Sequence, residues 1–98
     1  MMDTLKIKDK DYPFSFSMLA QREMLKTDIS KKDDFELTIY FVWLGLKYGA
    51  IRNNKKFELT EKELSFMFDD DYEAWNRAGE LLGERLALMN RMRSQEKK

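Results

Sequence analysis

The chain has 98 residues, 43% of them apolar, with 18 basic and 18 acidic side chains and neither histidine nor cysteine. That length predicts one domain over residues 1–98, and zero formal charge leaves no long-range field to collect nucleic acid or anionic membrane. Without Cys and His there are no disulfides, no thiolate catalysis, no imidazole base and few transition-metal ligands, which points away from an enzyme and away from any cofactor or metal.

Leu5 and Ile7 alternate with Lys6 and Lys8, residues 9–11 form a polar break, and Tyr12, Phe14 and Phe16 alternate with Pro13 and Ser15. A period of two on both sides of a break predicts a β-hairpin over residues 1–16 with one apolar face. Pro13 lacks an N–H, so its position should turn to an open strand edge. Residues 1–10 carry no signal-like apolar stretch, and the longest apolar run, 39–44, is too short to span a bilayer, so the expected location is the cytoplasm.

Residues 17–93 read as helical. Ser17 caps a short helix from Met18, whose apolar stripe would be Met18, Leu25 and Met24, interrupted at Thr27 and Asp28. Ser30 followed by Asp33 resembles a reciprocal cap, after which Phe35, Ile39, Val42, Trp43 and Leu46 recur at helical spacing until Gly49 offers a stop. Leu37, Tyr40, Phe41, Leu44 and Tyr48 fill most of the remaining circumference, so this helix should be the centre of the core. A buried strand over 38–44 is the competing assignment.

Residues 50–56 have loop chemistry. Thr60 with Glu63 forms a capping box, with Leu59 stapled to Leu64, and a helix through Phe66, Met67 and Phe68 follows. Asp69, Asp70 and Asp71 end that helix and cap the last one, which runs from Tyr72 past Met92 and carries Trp75, Gly79, Leu82, Leu86 and Met89 on one stripe. Residues 94–98 should fray. The expected fold is therefore α+β, mainly α: a hairpin followed by about four helices, the last one long.

The acidic run 69–71 lacks the alternating oxygen ligands and glycine of a calcium loop, and helix capping accounts for it. Gly79 and Gly83, four apart in a helix, imply a compensating close approach, either within the domain or from a second subunit or client helix. The third helix, acidic turn and last helix could form a helix-turn-helix, making a small DNA-binding regulator the alternative function, although three aspartates beside the recognition helix would repel phosphate. Arg22, Lys26, Lys31 and Lys32 form a modest basic patch with the character of solvated surface.

The order Tyr12-Pro13-Phe14-Ser15-Phe16, then Trp43-Leu44-Gly45-Leu46-Lys47-Tyr48-Gly49-Ala50, then Phe57-Glu58-Leu59-Thr60-Glu61-Lys62-Glu63-Leu64 with its acidic turn, resembles the small tail assembly chaperones of long-tailed bacteriophages and prophages. The resemblance covers nearly the whole chain except the last helix, and none of its parts is a catalytic signature. It implies a protein of the bacterial host cell that binds the long, helical, apolar tape measure protein, keeps it soluble and helps tail-tube subunits polymerise around it. It also implies self-association and, in some members, a frameshifted longer form. The residues suggest where contact would occur: Trp75, Gly79, Leu82, Gly83, Leu86 and Met89, because the stripe of the last helix outruns the core that could cover it.

Overall fold

The structure, a computed structural model, describes the backbone of residues 3–96 and the side chains of residues 4–87. β1 (Asp3–Ile7) and β2 (Lys10–Phe14) pair antiparallel, with Leu5 opposite Tyr12 and Ile7 opposite Lys10. The turn is Lys8-Asp9 rather than the break expected at 9–11, and Lys10 and Asp11 are already in the strand. Both turn residues have positive φ, 51° and 66°, the geometry whose twist matches the flanking strands. Leu5, Ile7 and Phe14 form the buried face.

Counting pairs from the two-residue turn puts Thr4 and Pro13 at a non-hydrogen-bonded position, so the missing N–H of Pro13 does point away from β1. The edge it faces is not open, however. The Pro13 carbonyl lies over Gly49, and the Ser15 N–H donates to the Gly45 carbonyl at 2.9 Å, closing that end of β2 against a helix.

α1 (Met18–Lys26) is capped by Ser17, whose hydroxyl accepts from the Ala20 N–H. Of its expected stripe only half-buried Met24 packs on the core, together with Ala20, while Met18 is 83% exposed and Leu25 74%. α2 (Asp34–Arg52) starts one cap later than expected, with Asp33 accepting from the Glu36 N–H at 2.8 Å. Ser30 instead turns to Asp28, its hydroxyl donating at 2.6 Å. Gly49 does not stop α2, which continues to Arg52 and ends at Asn53. Ile39, Tyr40, Val42, Leu44, Leu46 and Ala50 are buried along it, so the helical assignment and its central place hold, and 38–44 is not a strand. Phe35, expected on the buried stripe, is largely exposed.

α3 (Glu61–Asp70) carries the full capping box. The Glu63 N–H donates to the Thr60 hydroxyl at 3.1 Å, and the Thr60 N–H donates back to the Glu63 carboxylate at 3.3 Å. Thr60→Ala is expected to lower unfolding free energy by about 1 kcal/mol in urea titrations, because one helix donor loses its acceptor. An unchanged midpoint would show that the cap carries no stability.

α4 (Tyr72–Glu96) begins at Asp71, whose carboxylate accepts from the Ala74 N–H at 3.2 Å. It is helical through Glu96, past the position where fraying was expected; residues 97–98 lie outside the described residues. Twenty-five residues span about 37 Å, close to the 44 Å longest dimension of the molecule. The fully buried row is Ala74, Ala78 and Leu82, four residues apart; of the expected stripe Leu82 is in that row, Trp75 and Leu86 are half-buried beside it, and Gly79 is exposed. Hairpin, α2, α3 and α4 thus close one apolar core, with α1 packed on α2.

Candidate protein-binding surface

Two close approaches fix the frame. A Cβ on Gly45 would sit 2.8 Å from Phe14 Cδ2 and nearer still to the rim of that ring, and one on Gly49 would sit 2.5 Å from the Pro13 carbonyl carbon. The glycine pair that admits a neighbour is therefore Gly45 and Gly49 in α2. Gly79 and Gly83 are exposed with open space where a Cβ would stand, so packing within the domain does not explain them.

Polar clamps hold the hairpin and α1 in place. The Lys8 N–H donates to Asp71 at 2.8 Å and the Lys8 ammonium to Asp70 at 3.0 Å, so the acidic turn grips the hairpin tip as well as capping α4. These bonds from Lys8 and Ala74 hold the Asp71 carboxyl below its ordinary value. Between α1 and α2, Glu23 accepts from the Tyr48 hydroxyl at 2.6 Å and from Lys47 at 2.9 Å. Burial works to raise Glu23, but those two donors and the Lys47 charge outweigh it, leaving the carboxyl below its ordinary value. Tyr48 is pushed up to about 12, chiefly because its hydroxyl donates to Glu23. Nothing in the sequence spacing pointed to either clamp, since Lys8 and Asp71 lie 63 residues apart.

The six residues expected to make contact do not form one face. Trp75 is half-buried, its ring 5.2 Å from Phe68 and 5.3 Å from Phe35. Leu82, at 4% exposure, is core and leaves the contact set, while Leu86 is half-buried against the same core. Gly79 and Gly83 look outward, and Met89 lies beyond the residues whose side chains are described.

A different apolar surface is exposed. Met18 and Leu25 stand seven residues apart on the outer face of α1, and Leu19 is 57% exposed beside them. Met18 and Leu19 line an open recess of about 300 Å³ with Tyr48, Ile51 and Arg52 at the end of α2. No model of a known family, no curated protein and no solved structure matches the chain. The recess is lined mostly by apolar side chains. Only Ser17 and Arg52 bring strongly polar side-chain groups to it besides the Tyr48 hydroxyl, which is already bonded to Glu23.

A second groove, about 360 Å³, lies between β2, α2 and the segment after it, floored by Tyr12, Pro13, Leu46 and Phe57. Trp43 Nε1–H donates to the Leu59 carbonyl at 2.8 Å and anchors that segment. Its charged lining is mixed, Lys10, Lys55 and Lys56 against Asp11, Glu58 and Glu63, so it favours neither sign of ligand. Among the described residues no three acidic side chains gather as a metal would require, and no helix is long and apolar enough to cross a membrane.

Proposed function

We propose that the chain is a non-enzymatic protein-binding module that holds an apolar helical client, acting in the bacterial cytoplasm as a tail assembly chaperone of the kind its sequence resembles. The observation that carries this is the outward placement of Met18, Leu19, Leu25 and Ile51 on α1 and the end of α2, whereas the other large aliphatic side chains among the described residues are buried or half-buried. Large side chains left in water around a recess between two helices are the usual receptor for the apolar face of a third. Met suits such a surface because its unbranched thioether adapts to irregular partners. The client would be the tape measure protein, whose long helical apolar segments need cover before the tail tube forms around them.

Co-expression with a tape measure protein of a long-tailed phage is expected to move that protein from the pellet to the soluble fraction. Replacing Met18 and Leu25 together by Ser should abolish the rescue while circular dichroism and the thermal melt stay unchanged, since neither side chain belongs to the core. Undiminished rescue by the double variant would remove this face from the assignment. No rescue by the wild type would remove the chaperone function itself.

A further inference from the structure

The exposed face of α1 carries charge of one sign. Arg22 and Lys26 fall between and beside Met18 and Leu25 on the same side of the helix, and Arg52 stands at the recess. None of the three makes an ion pair among the described residues. The one carboxylate of α1, Glu23, is turned the other way and held by Lys47 and Tyr48, and Asp28, beyond the helix end, is bonded to Ser30. Of the basic patch noted in the sequence, Lys31 lies in the turn beyond α1 and Lys32 leans over the Tyr40 ring at 5.4 Å, which leaves Arg22 and Lys26 as the cations of α1 beside the apolar pair. A neutral protein has thus segregated three unpaired cations around its most exposed aliphatic side chains.

We infer that this face takes an acidic amphipathic helix, its apolar residues meeting Met18, Leu19, Leu25 and Ile51 and its flanking Glu or Asp side chains meeting Arg22, Lys26 and Arg52. The inference rests on the docking face proposed above and adds the chemistry of what docks there. Met18 and Leu25 are about 10 Å apart along the α1 axis, the separation of apolar residues seven apart on a partner helix. Because the chain has no net charge, no global attraction favours an acidic partner, and any preference must come from this local set.

The test uses the full chain and two fluorescent synthetic peptides of about 20 residues with the same leucine positions, one filled with Glu and the other with Lys. Anisotropy titrations at low salt should show the acidic peptide binding about tenfold more tightly than the basic one, with the difference shrinking at higher salt. The charge reversal Arg22→Glu with Lys26→Glu should invert the preference, and Arg52→Glu alone should narrow it, a second route should the double variant fold poorly. Equal affinities, or preference for the basic peptide, would overturn the inference while leaving an apolar docking face in place. Binding of neither peptide would overturn both. Capture of the chain by phosphatidylglycerol vesicles without binding of the acidic peptide would assign the face to a lipid surface and overturn the inference too.

Discussion

Gly49→Ala is expected to destabilise the protein by about 2 kcal/mol, a fall of roughly 10 °C in Tm for a domain of this size. Two effects compete at this position. Alanine in a helix interior gains about 1 kcal/mol over glycine, whereas forcing an added methyl into a filled contact costs about 1–3 kcal/mol, occasionally more. The upper part of that range applies because the obstacle is backbone: the methyl would stand 2.5 Å from the Pro13 carbonyl carbon and 3.0 Å from the Phe14 nitrogen, neither of which can rotate away. The strand itself would have to lift off α2. Gly79→Ala and Gly83→Ala provide the internal comparison, because nothing occupies the space a Cβ would enter at either position. Each should raise stability by about 0.5–1 kcal/mol through helix propensity alone. Urea denaturation of the three variants reads the contrast directly. A neutral or stabilising Gly49→Ala would show that the hairpin does not rest on α2 as described.

Phe14→Ala should have a still larger effect, a loss of about 3–5 kcal/mol that would leave a domain of ordinary stability partly unfolded at 37 °C. The ring is completely buried and seated on Gly45, where the absent Cβ leaves room for it, so truncation opens a cavity at the junction of hairpin and α2. Relaxation is restricted because the Ser15 N–H bond to the Gly45 carbonyl holds the backbone on the same spot. Phe66→Ala, which trims a 59% exposed ring on α3, should change stability by no more than about 0.5 kcal/mol. Equal losses from the two variants would contradict the placement of Phe14 at the centre of the core.

Much of the local structure was legible in the residues. The hairpin, the Ser17 cap, the Thr60 and Glu63 box and the start of α4 at the acidic turn all depend on partners within a few positions in the chain, where one hydrogen bond decides the outcome. Alternation placed Leu5, Ile7 and Phe14 on one face for the same reason, since successive strand residues must point to opposite sides. The Lys8-Asp9 turn was harder to locate, because it lacks the Asn-Gly or Asp-Gly pair that usually marks two consecutive positive φ values.

Which helical face is buried was decided only in three dimensions. Met18 and Leu25 have the spacing of a core stripe, yet Ala20 faces α2, where the short Glu23 bonds to Lys47 and Tyr48 fix the roll of α1. On α4 the large side chains suggested a stripe through Gly79; Leu82 of that stripe is buried, but Ala74 and Ala78 complete its row and Gly79 faces outward. Small side chains suit a helix packed closely against its neighbours, a property that hydrophobicity alone does not rank. Gly49 looked like a helix stop because glycine commonly ends helices, whereas its role depends on Pro13, 36 positions earlier, arriving with its carbonyl against the helix. The sequence by itself determined the order of the elements and the caps at Ser17, Thr60 and Asp71, since those are set by neighbours along the chain. Tertiary structure decided which faces of α1, α2 and α4 meet the core, and hence which apolar surface remains outside it, because those contacts join residues tens of positions apart.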